Sequence, residues 1–188
     1  MKIIPVILDS CVIFPMPLCD TLLRAAEANL YCVLYSQEIL DGATRNLIKT
    51  GRMTELKAAR FQAMIKSHFP EAMVEVPTDL VEMMTNHPAD RHVVAAAIAA
   101  RAEVIVTSNL RHFPAEALAP WGIEAQHPDV FLTYLYESFP NSMIQLIRQQ
   151  SQDLKNPPLS VVELLDKLSN QVPKFASSVR LAQQNIEN

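Results

Sequence analysis

The chain has 188 residues, with 16 Lys and Arg against 20 Asp and Glu, and a hydrophobic share of 49%. That length suits one ordinary domain with an appended element, and the apolar content excludes a chain too polar to offset its own conformational entropy. Cys11, Cys19 and Cys32 are odd in number and lack CxxC spacing, which excludes a disulfide-stapled scaffold and points to a reducing compartment.

Residues 3–8, IIPVIL, form a continuous apolar run with β-branched residues, the pattern of a strand covered on both faces, with Pro5 placed near its start. Asp20 or Thr21 is positioned to cap a helix TLLRAAEAN, with Leu22, Leu23 and Ala26 on one face. YCVLY at 31–35 reads as a second strand. Ser36 then caps a helix over 37–49 whose apolar face is Ile39, Leu40, Ala43 and Leu47, and Gly51 ends it. A further helix is expected over 54–67, with Leu56, Ala59, Ala63 and Met64 facing inward. MVEV at 73–76 is a weaker strand, and 79–85 one or two helical turns.

Asp90 stands directly before RHVVAAAIAARA, an alanine-rich helix with too little polar surface for anything but burial, and EVIVT at 103–107 follows as another buried strand. Strands alternating with helices predict βαβ units and a parallel sheet covered on both sides. From about Asp129 the pattern becomes wholly helical, broken at Asn156-Pro157-Pro158, with Ser160 and Glu163 forming a capping box for VVELLDKL.

The net charge of −4 argues against nucleic-acid binding over the whole surface. The charge is nevertheless segregated: between Gly42 and Lys66 stand Arg45, Lys49, Arg52, Lys57, Arg60 and Lys66 against the single acid Glu55. Such a run is either a solvated helical face or a local site for a polyanion. The apolar start is interrupted by Pro5 and closed by Asp9, far short of the roughly 20 residues of a spanning helix, and lacks the lead and cleavage pattern of a signal peptide. The expectation is a cytoplasmic protein without a membrane segment.

In an open α/β sheet, ligands collect beyond the carboxyl ends of the strands. Asp9 ends the first strand, Thr107-Ser108-Asn109 ends EVIVT, and Asp90 begins the helix leading into it. Carboxylates meeting there suit a hard divalent cation such as Mg2+ or Mn2+. Asp90 also fits a plain helix N-cap, and Asp9 the opening of a loop.

VILDSCVIFP, YSQEIL with Arg45-Asn46-Leu47, ADRHVVAAAIAARAEVIVTSNLRHFP and GIEAQHPDVFL resemble the PIN-domain superfamily, and within it the VapC-like branch with a C-terminal helical extension. The resemblance covers almost the whole chain. It implies a three-layer α/β/α fold around a central parallel sheet, with a PIN-like domain over 1–128 and a helical extension over 129–188, packed on or beside it. It also implies a Mg2+- or Mn2+-dependent endoribonuclease, the toxin of a toxin–antitoxin system, with RNA as substrate, a cognate antitoxin as partner and homodimer formation. A catalytically inactive protein that acts by binding RNA or an antitoxin is the alternative.

Asp9 and Asp90 match two of the family's metal-holding acids. The acid expected in S-x-x-I-L-x-E falls on Gly42, and the one expected in N-L-x-D-F-P falls on His112. Glu38, one turn before Gly42 on the same helical face, is the candidate replacement, and Asn109 supplies a polar oxygen in the same loop. Arg45 and Lys49, together with Arg91, Thr107 and Ser108 at the strand edge, are the candidate RNA contacts. A lone His112 is either a ligand, a phosphate donor or an uninvolved loop residue.

Overall fold

The computed structural model describes residues 3–187. In chain order the elements are β1 (Pro5–Leu8), α1 (Ser10–Ile13), α2 (Met16–Glu27), β2 (Cys32–Ser36), α3 (Gln37–Lys49), α4 (Glu55–His68), β3 (Met73–Val74), α5 (Thr78–Glu82), α6 (Arg91–Ala99), β4 (Val104–Val106), α7 (Ala115–Leu118) and β5 (Glu124–Gln126). Four longer helices follow: α8 (Pro128–Ser138), α9 (Pro140–Asp153), α10 (Val161–Ser169) and α11 (Pro173–Glu187). No helix among the described residues is long and apolar enough to cross a membrane.

The chain divides into two compact units. The first runs to Phe14 and resumes over Tyr31–Gln126; it holds all five strands in the order β3-β2-β1-β4-β5, every pair parallel. Val6, Ile7, Leu8, Val104, Ile105 and Val106 are all buried, as the β-branched runs predict for a sheet covered on both faces. The α6 segment Val93–Ala97 is buried along five consecutive residues, which accounts for its lack of polar interruption. From β1 the chain moves outward to β2 and β3, then returns to the other side of β1 for β4 and β5. The order therefore reverses between β1 and β4, where a doubly wound sheet opens a crevice at its carboxyl edge.

The second unit gathers Pro15–Leu30 and the chain from His127 onward, so the residues read as a C-terminal extension share it with α2. The buried Gln150 amide anchors α2, donating to Pro17 O at 3.0 Å and accepting from the Thr21 hydroxyl at 2.8 Å. The capping box on α10 forms as expected: Glu163 N donates to Ser160 Oγ, and Ser160 N to Glu163 Oε2.

Three local expectations need correction. Helix α2 starts at Met16, before the expected cap, because Pro17 fits a first turn that needs no N–H, and Thr21 turns its hydroxyl onto the Pro17 carbonyl. Strand β5 was not expected at all; at three residues, pairing only with β4, it is too short for a periodic signal. On α4 the inward face is reversed. Ala58 and Ile65 are buried, while Leu56 is 63% and Met64 48% exposed. The helix carries apolar residues on two opposite sides, and its rotation is set by polar contacts: Tyr35 OH donates to Phe69 O at 3.0 Å, and Gln62 Nε2 to Thr44 Oγ1 at 2.9 Å.

Candidate active site

Asp9 follows β1 and Thr107 follows β4, each one residue beyond the last paired position, Leu8 with Val106. The backbone continues the ladder, with Asp9 N donating to Val106 O at 3.1 Å. The two side chains thus stand at the crevice where the strand order reverses. The Asp9 carboxylate is only 3% exposed. Its Oδ2 accepts from Thr107 Oγ1 at 2.7 Å and from the Cys11 thiol at 3.1 Å, and its Oδ1 accepts from Ser10 Oγ at 3.3 Å. All three donors are neutral, and among the described residues no ion pair to Asp9 is formed. A buried carboxylate without a positive partner is costly unless a cation completes it.

Asp90 occupies the N-cap position of α6, yet its side chain makes no capping bond. It turns to His112, whose Nδ1 lies 2.6 Å from Asp90 Oδ2. The simple capping explanation of this acid therefore fails. His112 Nδ1 is also 2.6 Å from the Asn109 amide nitrogen, and Asn109 N donates to Thr107 Oγ1 at 3.0 Å. Asp9, Thr107, Asn109, His112 and Asp90 are consequently linked by one continuous series of polar contacts.

The position expected to carry a third acid also lies beside this site. A Cβ built on Gly42 would stand 3.3 Å from Ser10 Cβ and 3.5 Å from Ser10 Oγ, next to Asp9 in sequence. Gly42 thus stands against the serine that donates to Asp9, without a carboxylate of its own.

Residues 128–181 match the family described as the VapC50 C-terminal domain. A curated relative from Mycobacterium tuberculosis (strain ATCC 25618 / H37Rv), named "Putative ribonuclease VapC50", is 46% identical over 102 residues. Over these stretches the chain is similar to VapC-type proteins. It combines a PIN-like α/β/α fold with a C-terminal helical extension, as the resemblance implied. The match to that relative takes in 54% of this chain and spans 60% of the relative's length. No solved structure matches.

The other expected site residues of this chain are placed as follows. Glu38 is exposed on α3 and its carboxylate lies 3.8 Å from His92 Nδ1. Arg45 and Lys49 are exposed on α3, and Lys57 and Arg60 on α4. Arg52 instead lies over the Phe14 ring, 5.1 Å from its centroid, and Lys66 donates to Gln37 Oε1. Arg91 is half-buried and its Nε reaches Asn86 O at 3.4 Å. Ser108 is exposed. Thr107 is fully buried with its hydroxyl on Asp9, which leaves it no surface for RNA and makes it a support for the carboxylate.

Ser10, Cys11 and His87 at the site escaped the sequence reading. Cys11 contacts Asp9 and receives Ser108 N at 3.2 Å; burial, then the Asp9 charge, push its thiol up to about 12. It is therefore a neutral donor, not a nucleophile. His87 stacks on His112, with ring centroids 3.7 Å apart and planes 7° from parallel. The signal that would have found it is His-Pro-Ala-Asp. The 3-10 turn Pro88–Asp90 sets positions three apart on one side, bringing His87 beside Asp90.

Proposed function

We propose that the chain is a metal-dependent endoribonuclease of the VapC type, the toxin of a toxin–antitoxin pair, with Asp9 and Asp90 holding Mg2+ or Mn2+. The observation that supports this reading is Asp9 itself: a buried carboxylate at the crevice, held by three neutral donors with no positively charged side chain paired to it among the described residues. That donor chemistry fits a divalent ion. When bound, such an ion supplies positive charge for a phosphodiester and lowers the pKa of an attacking water.

The chain's own residues do the rest. Thr107, Ser10 and Cys11 fix the Asp9 oxygens in direction. Asn109 and His112 carry that order across to Asp90, and Glu38 is assigned the supporting acidic role that Gly42 lacks. Arg45, Lys49, Arg91 and Ser108 are assigned to the RNA backbone, with the exposed bases of α3 and α4 drawing it in electrostatically. Residues 1–128 carry the chemistry and 129–188 form the extension. A cognate antitoxin, a homodimer and a cytoplasmic location complete the proposal.

The test is cleavage of labelled RNA by the purified chain, with Mn2+ or Mg2+ and then with chelator. Cleavage should require metal and vanish in Asp9→Asn. Undiminished cleavage by Asp9→Asn would refute this assignment of the site.

One observation favours a second reading, a PIN-like protein that binds without cutting: Gly42 packs beside Ser10 where a carboxylate is expected. Under that reading the parent chain is inert with every metal, and a Gly42→Glu, His112→Asp double variant gains metal-dependent cleavage. Ready cleavage by the parent chain excludes it.

A further inference from the structure

We infer that His112, Asp90 and His87 form a site for a borderline transition-metal ion of the Zn2+ or Co2+ kind, in preference to Mg2+. The inference rests on the reading that this crevice takes a divalent ion, and departs from the Mg2+ or Mn2+ named there because two of the three ligands at the Asp90 end are nitrogens. One ligand atom from each of the three side chains lies within 4.8 Å of the others.

The local hydrogen bonding supplies the reason for a cation. His112 Nδ1 is 2.6 Å from both Asp90 Oδ2 and Asn109 Nδ2. A ring nitrogen either donates one proton or offers one lone pair. If it donates to Asp90, the Asn109 NH2 faces an N–H. If it accepts from Asn109, its lone pair faces a carboxylate lone pair. Turning the amide over would remove the first conflict, but would present its NH2 to Arg111 Nε, which donates to Asn109 Oδ1 at 3.1 Å. A cation between Nδ1 and Oδ2 removes the clash of lone pairs in the second arrangement; it takes the one Nδ1 lone pair, so the Asn109 NH2 must swing aside when the ion binds. Bonds of about 2.1 Å at a tetrahedral angle put two ligand atoms about 3.4 Å apart. The pair therefore needs to open by less than an ångström from its 2.6 Å separation.

The backbone around the cluster is already tied together. His87 N and Asn86 Nδ2 both donate to His112 O at 3.3 Å, and Asp90 N donates to His87 O at 2.9 Å. Only side-chain torsions remain to be set. The stacked rings have parallel in-plane lone pairs that do not meet at one ion, so His87 joins by turning out of the stack. Being exposed, it is free to turn, at the cost of the 3.3 Å bond from Ala89 N to its Nδ1. Two imidazoles and one carboxylate are donors that favour zinc-like ions, whereas Mg2+ keeps to oxygen.

The test is direct metal binding by the full chain, stripped with chelator. Co2+ titration should give visible d–d absorption, Zn2+ should abolish it, and Mg2+ in roughly thousandfold excess should not. His112→Gln, His87→Gln and Asp90→Asn should each weaken Co2+ binding by about tenfold or more, with the fold checked by circular dichroism. His112→Asp keeps a ligand of similar reach and should move the preference toward Mg2+ and Mn2+, so the idea remains testable if His112→Gln fails to fold. Co2+ binding unchanged in His112→Gln or His87→Gln, or Mg2+ displacing Co2+ at equal concentration, overturns the inference. Neither result depends on cleavage. Metal binding through the histidines by a chain that never cuts RNA would defeat the proposed function alone, and Mg2+-driven cleavage with no histidine dependence would defeat this inference alone.

Discussion

The Thr107 hydroxyl donates to the Asp9 carboxylate at 2.7 Å, joining the ends of two neighbouring parallel strands at the point where the sheet order reverses. Because the carboxylate is buried, the bond serves two purposes: it offsets desolvation of the charge and fixes the direction of Oδ2. Thr107→Val keeps the shape and removes the donor. It should lower stability by about 1.5–3 kcal/mol, the range for a hydrogen bond to a charged group. Thr107→Ser should restore most of that, and urea melts of the two variants make the comparison. RNA cleavage should fall in Thr107→Val and recover in Thr107→Ser, which separates positioning of Asp9 from a direct RNA contact.

Gly42 and Ser10 make a second close pair. In the interior of α3 an alanine should be better than glycine by about 1 kcal/mol. Here its Cβ would meet Ser10 Cβ at 3.3 Å, tighter than ordinary contact. Gly42→Ala should therefore fall short of the expected gain in the parent chain and reach it in a Ser10→Gly background. A double-mutant cycle on denaturation midpoints reads the coupling, and additive effects would show that α1 yields freely at this point.

These pairs mark how far the sequence could be read. The buried strands and most helices were legible because β-branched runs and the 3.6-residue period are written into contiguous residues. Asp9 and Asp90 were legible as acids at strand and helix ends, and Gly42 and His112 as departures from a resemblance. The outward face of α4 was misread because the helix has apolar residues on both sides, and its rotation depends on Tyr35 and Gln62, which are remote in sequence or polar. Cys11 and His87 were missed for a related reason. Their contacts with Thr107 and His112 span long stretches of chain; only the nearness of His87 to Asp90 is written locally, in the turn His-Pro-Ala-Asp.

The cysteines offer a pH test. Burial raises the thiols of Cys11 and Cys19 from 9.0 to about 12. The native state then holds these protons where the unfolded chain releases them, so unfolding is favoured as pH climbs. Stability should decline as pH rises above 9.0, through the window up to about 12, and the decline should flatten in a Cys11→Ala, Cys19→Ala variant. Denaturant melts at stepped pH measure this. At neutral pH, alkylation should modify the exposed Cys32 first, the half-buried Cys11 more slowly, and the buried Cys19 only on unfolding.

In the second unit, Asp129 is a buried carboxylate whose oxygens both cap a distant helix. Oδ1 accepts Phe175 N at 2.9 Å and Oδ2 accepts Lys174 N at 3.2 Å, at the start of α11. These N–H groups have no partner inside their own helix. Asp129→Ala should cost about 2 kcal/mol or more, because it removes a cap and strands two donors, whereas Asp129→Asn should keep part of the effect. Thermal melts followed by far-ultraviolet circular dichroism give the comparison, and an Asp129→Ala variant as stable as the parent would show that α11 is held by its apolar face alone.

The exposed bases of α3 bear on the substrate. The chain carries a net charge of −4, so any attraction to RNA must come from a local concentration of positive charge. Arg45 and Lys49 are exposed on consecutive turns of the helix that also presents Gly42 beside Ser10. If each neutralises one phosphate of a single strand, both together contribute about 1.4 to the slope of log Kd against log salt. An Arg45→Gln, Lys49→Gln variant should bind RNA more weakly and show a slope shallower by roughly that amount, with metal binding unchanged. Binding is best measured by fluorescence anisotropy in the Asp9→Asn background, so that cleavage does not consume the probe. An unchanged slope would place the RNA elsewhere, and the basic run over 42–66 would then be a solvated helical face.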